Sequence, residues 1–124
     1  MHDTPYRPEG WTVRQVIHHI ADSHMNAYIR LKFALAEDEP EIKPYDENIW
    51  ARTAEAATLP VGASLTLLAG LHERWAATFR AMSEADYTRA YRHPESGLTR
   101  LDVALALYEW HGRHHLAHVL QVAG

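Results

Sequence analysis

The chain contains no cysteine. That excludes disulfides, zinc ribbons, iron–sulfur ligation and a cysteine nucleophile, and it fits a reducing, cytoplasmic setting. Long apolar runs are missing as well. No stretch approaches the roughly 18 residues of a transmembrane helix, and the N-terminus lacks the basic and apolar regions of a signal peptide. Excess positive charge is absent, since 12 Lys and Arg stand against 16 Asp and Glu for a net charge of −4. The basic footprint of a nucleic-acid partner or a polybasic membrane patch is therefore excluded. Strand signals are scarce, with no sustained period-2 alternation and no Asn-Gly or Asp-Gly hairpin. Serine occurs only at Ser23, Ser64, Ser83 and Ser96, with no GxSxG elbow and no phosphate-binding glycine loop.

What is present is ordinary globular material: 124 residues, 47% hydrophobic and 23% charged. That gives room for a single domain over 1–124. Helix signals fill it. Thr12 with Gln15 forms a capping box, and Val13, Val16, Ile20, Ala27, Leu31 and Ala34 then recur on one face. The spacing predicts a helix over about 12–36 that fades in the acidic stretch broken by Pro40. A second helix is predicted after Pro60, capped near Ser64, with Leu65, Leu68, Leu71, Trp75 and Phe79 down one side and an end near Met82. A short turn at 83–87 and a turn at 93–97 lead to Thr99 and Asp102, which read as another capping box. From about 100 a third helix runs almost to the last residue.

The connector over about 37–60 is longer than a bundle needs, so it carries function or hides a short element, with one or two helical turns expected over 46–52. Its carboxylates read as solubilising charges. The expected fold is an all-α helical bundle. With about ten residues before the first helix, it is either a three-helix bundle or one completed by a partner subunit.

One residue type is over-represented: ten histidines. His111 and His115 fall inside the inward stripe of the third helix, four residues apart, beside Tyr108. Two imidazoles at that spacing reach one cation together. His118 lies at the stripe's edge and His114 points outward. Position 112 is glycine, so this is not the HExxH metalloprotease motif. A third ligand is expected from the first helix. There His18 points away from the apolar stripe and is expected at the surface, while His24 lies within the stripe. His19 borders it, in line with Ser23, Asn26 and Arg30, a polar strip suited to the wall of a wet cavity. Periodicity does not choose between His19 and His24. His72 reads as a surface or capping residue, His93 as a turn residue, and His2 is uninformative.

Several segments resemble the DinB/YfiT-like family of metal-binding bundles. They are Gly10-Trp11-Thr12-Val13-Arg14-Gln15-Val16-Ile17-His18-His19-Ile20-Ala21-Asp22-Ser23-His24, Ile42-Lys43-Pro44-Tyr45-Asp46-Glu47, Leu71-His72-Glu73-Arg74-Trp75, His93-Pro94-Glu95, and Trp110-His111-Gly112-Arg113-His114-His115-Leu116-Ala117-His118. The likeness is collinear over nearly the whole chain and is nearest to the YfiT branch of metal-dependent hydrolases. It implies that His19, His111 and His115 bind a divalent metal, zinc or nickel, with an open position for water. It also implies a homodimer, and a family helix that would precede the Asp3-Thr4-Pro5-Tyr6-Arg7 stretch but is lacking here.

The leading functional expectation is hydrolysis of a small-molecule substrate by metal-activated water, with Arg30 or Tyr108 orienting substrate. Relatives of similar fold supply an alternative. In these, a metal-dependent thiol S-transferase activates a low-molecular-weight thiol such as bacillithiol or mycothiol. A third reading is a non-catalytic metal-binding stress protein.

Overall fold

Thr12 caps α1 (Val13–Ala36) as its sequence position requires. The Thr12 hydroxyl accepts from the Gln15 amide at 3.1 Å, and the Gln15 side chain accepts from the Thr12 amide at 2.9 Å. The expected capping box is complete. The computed structural model describes residues 10–106. Along α1, Val13, Val16, Ala27, Leu31 and Ala34 are buried, so the predicted apolar stripe faces the core. At the other end Arg89 closes the helix. Its Nε donates to the Ala34 carbonyl at 2.8 Å and its Nη2 to the Glu37 carbonyl at 3.0 Å, placing a cation on the negative end of the helix dipole.

The connector holds two short helices, α2 (Glu47–Ala51) and α3 (Ala54–Thr58). The first is the element expected over 46–52, with the Asp46 carboxylate accepting from the Asn48 and Ile49 amides. The second was not predicted. Both pack on α1, and Ala51 and Ala56 are buried there. Polar side chains of α1 cap the ends of both: Gln15 Nε2 donates to the Ala51 carbonyl at 2.7 Å, and Arg14 Nη1 donates to the Thr58 and Leu59 carbonyls at 3.1 and 2.9 Å.

The next helix, α4 (Gly62–Ala81), corrects two expectations. It begins after Val61 without a side-chain cap, because the Ser64 hydroxyl is turned to His18 instead. Its apolar line is also only partly covered. Leu71 is buried and Trp75 and Phe79 are half-buried, but Leu65 remains 53% exposed. The main core gathers Tyr28, Leu31, Ala34, Ile42, Leu71, Tyr91 and Leu101, with Trp75 and Phe79 packed against it. Arg74 covers the Tyr28 ring at 5.2 Å.

After α5 (Glu84–Tyr87), capped by Ser83, comes an unpredicted antiparallel hairpin. β1 (Ala90–His93) pairs with β2 (Gly97–Arg100) in the register Ala90↔Arg100 to His93↔Gly97. Each strand has four residues, too few for a period-2 pattern to register. The 93–97 turn is where the sequence places it. His93 Nδ1 accepts from the Glu95 and Ser96 amides at 3.1 and 3.2 Å, and Gly97 takes φ +83°, which only glycine adopts cheaply. β1 also pairs with the connector: the Ile42 amide donates to the Arg92 carbonyl, and the Arg92 amide to the Pro40 carbonyl. Thr99 is not a cap. It sits opposite Tyr91 in β2, and helical structure (α6, 101–106) begins just beyond, with the Leu101 amide donating to the Arg89 carbonyl. The fold is helical, with a minor two-stranded sheet. No helix among the described residues is long and apolar enough to cross a membrane.

Candidate metal centre

His19 is 3% exposed on α1. Its ring lies 4.9 Å from that of Trp11, tilted by 58°, so the residue just before the cap packs against the imidazole. His111, His115 and Tyr108 lie outside the described residues. Among the described residues, no three His, Asp or Glu side chains come together as a metal site. One member of the expected ligand set is therefore placed, on a rigid element and away from solvent.

The strip predicted beside His19 takes a definite course. Ser23 is buried, and Asn26 and Arg30 are half-buried. Asn26 Nδ2 donates to the Asp22 carbonyl at 2.8 Å, which leaves its amide oxygen available. Asn26 and Arg30 line an open groove against the connector. The strip thus runs from a buried imidazole to a solvent-facing cleft.

His18 corrects a sequence expectation. It is not on the surface but 3% exposed. Nε2 lies 2.7 Å from the Leu59 carbonyl and Nδ1 lies 2.6 Å from Ser64 Oγ. A carbonyl only accepts, so Nε2 carries the proton, and in the neutral ring Nδ1 accepts from the Ser64 hydroxyl. The α3 end and the α4 start cover this face of α1. The helical wheel sees one helix and not the connector folded over it, which is why it misplaces His18. The arrangement resembles a serine–histidine pair, but Ser64 is itself buried, so the pair clamps elements together.

His24 is buried, as its place in the stripe predicts. Its Nδ1 lies 2.8 Å from Nε2 of the exposed His72, so one ring donates and the other accepts. Trp75 stacks on both, at 5.4 Å and 16° from His24 and at 5.9 Å and 22° from His72. His72 is at the surface as expected, but as one half of a link between α1 and α4. Asp22, one turn past His18, has its carboxyl pushed up from 3.8 to about 6. Burial is the main cause and the Glu55 carboxylate adds to it, against the opposing pull of His18.

The chain as a whole is similar to known proteins. The model of the DinB superfamily matches residues 2–119. The chain belongs to the DinB superfamily. A protein of Oceanobacillus iheyensis named "Putative metal-dependent hydrolase" is 55% identical over 117 residues, which cover 94% of this chain and 67% of that protein. A Bacillus mycoides protein of the same designation is 54% identical over the same shares. Among solved structures, YfiT from Bacillus subtilis superposes with a TM-score of 0.95 at 47% identity, covering 98% of this chain and 70% of that one. YfiT is described as "a probable metal-dependent hydrolase with an unusual four-helix bundle topology". The DinB-superfamily bundle expected from the sequence is the fold observed. Lys43 and Tyr45, quoted only within a family-like segment, and Trp50, in the expected turn over 46–52, line the cleft beside Asn26, a site role that sequence reasoning did not give them. Their signal was the excess length of the connector that carries them.

Proposed function

We propose that this DinB-superfamily chain is a metal-dependent hydrolase of a small-molecule substrate, with His19, His111 and His115 holding one divalent ion, zinc or nickel. The observation that carries the reading is the buried His19 imidazole on α1, packed against Trp11, in a chain more than half identical to proteins named for metal-dependent hydrolysis. The donor chemistry fits. Three imidazole nitrogens suit zinc and nickel, and three protein ligands leave a coordination position open. When bound, such an ion lowers the pKa of water toward about 7. The chain's own part is to fix the ligands. The Thr12–Gln15 box sets the start of α1, and Trp11 beside it limits the rotation of the His19 ring.

The test is an activity panel on protein loaded with zinc or nickel. Turnover of an ester or amide, lost in His111→Ala, is the expected result. Conjugation of bacillithiol or mycothiol to an electrophile, lost in the same variant and without hydrolysis, would replace the hydrolase reading with a thiol transferase. Silence in every assay with metal bound would leave a metal-binding protein without turnover.

A further inference from the structure

On the outer side of α1, Asn26, Ile29, Arg30 and Phe33 recur at helical spacing and form one wall of a groove of about 320 Å³. Pro40, Ile42 and Lys43 of the connector form the opposite wall. A second lobe of about 380 Å³ continues from it, sharing Asn26 and Lys43 and lined further by Tyr45, Ile49 and Trp50. The rings of Tyr45 and Trp50 stand 4.6 Å apart at 52°. Two features distinguish this groove from ordinary surface. Its apolar walls are open to solvent, with Ile29 at 51%, Phe33 at 48% and Trp50 at 39% exposure. Its two cations are also uncommitted: among the described residues, the Arg30 and Lys43 side chains make no ion pair or hydrogen bond.

We infer that this two-lobed groove binds a small organic anion joining a carboxylate to an aromatic ring. The ring lies in the lobe of Tyr45, Ile49 and Trp50, and the carboxylate lies between Lys43 and Arg30, with the Asn26 amide at the junction. Acidic residues border the groove but do not cancel this charge. The Asp46 carboxylate is engaged with the Asn48 and Ile49 amides, and water screens the exposed Glu37 and Glu41 as it does Lys43, which leaves the half-buried Arg30 as the dominant charge. Arg30 is half-buried, so its field is less screened and its planar fork matches a carboxylate. The site does not depend on the metal reading. Asn26 lies seven residues beyond His19, about 10 Å along the helix, and binding is expected in metal-free protein.

The experiment is isothermal titration of the metal-free full chain with phenylacetate, indole-3-acetate and naphthalene-2-acetate. The neutral amide of each and phenethylammonium serve as controls. One carboxylate or more should saturate at one equivalent, with its amide weaker by about tenfold or more. Arg30→Gln and Lys43→Gln should each weaken the acid and leave the amide unchanged, and Trp50→Ala should weaken both. Lys43 is exposed, so its variant tests the idea even where Arg30→Gln disturbs the fold. Equal affinity for acid and amide, tighter binding of phenethylammonium, or no saturation by any carboxylate at millimolar concentration would each overturn the proposal.

Discussion

Asp22, half-buried on α1, feels the charges of Glu55 and His18, and its proton has a measurable consequence. Its pKa is raised from 3.8 to about 6 in the folded chain. Between about pH 4 and 6 the native state therefore holds a proton that the unfolded chain has released, so this group's contribution to stability falls as pH rises through that window. Above it, the native carboxylate is charged and strained by burial and by Glu55. Asp22→Asn should stabilise the fold at pH 7.5 by on the order of 1 kcal/mol, a figure kept small because water screens a half-exposed group, and should give no gain at pH 4. Urea unfolding midpoints at the two pH values check this. An equal effect at both would show that the amide acts through packing. At this scale the sequence was informative where one helix decides the outcome. The wheel put His24 inside and lined up His19, Ser23, Asn26 and Arg30. It failed at His18, because the cover there comes from residues about forty positions away in the chain.

Polar side chains on one face of α1 hold the two short helices of the connector. Arg14, Gln15 and His18 each reach a carbonyl at the end of α2 or α3, and His18 adds the Ser64 hydroxyl at the start of α4. Short helices of five residues are not stable by propensity, so these bonds and the buried Ala51 and Ala56 hold them. His18→Ala should cost about 2–4 kcal/mol, since two hydrogen bonds go and the Leu59 carbonyl and Ser64 hydroxyl lose a buried partner. Ser64→Ala should cost about 1–2 kcal/mol. The double variant should be less destabilised than the sum, because the two side chains share one bond. Denaturant unfolding of the four proteins measures the coupling, and strict additivity would contradict the clamp. Capping explains what was legible among the elements. The Thr12 box is a local signal and was read correctly, whereas Asp46, read as a solubilising charge, turns out to cap the short helix expected beside it. The Thr99 signature was false, because Thr99 serves a strand too short to detect. The start of α4 was misjudged for a related reason: a serine near a helix start reads as a cap until a histidine from another element claims it.

The molecule as a whole is a helical bundle whose first long helix works on several sides. One carries the apolar stripe to α4 and the hairpin, one clamps the connector, and one runs from the buried His19 to the open groove. The bundle and its family were legible from the periodicity and the collinear motifs. The polar order of α1 was legible only in part, since it depends on how the connector returns. The central claim is that His19 joins the histidine pair at 111 and 115 around one ion. It is tested most directly by elemental analysis of purified protein after incubation with zinc or nickel and removal of excess. The account predicts one equivalent of metal in the wild-type chain. A His19→Ala/His111→Ala variant that keeps the wild-type circular dichroism should retain none. A full equivalent kept by that double variant would contradict the assignment.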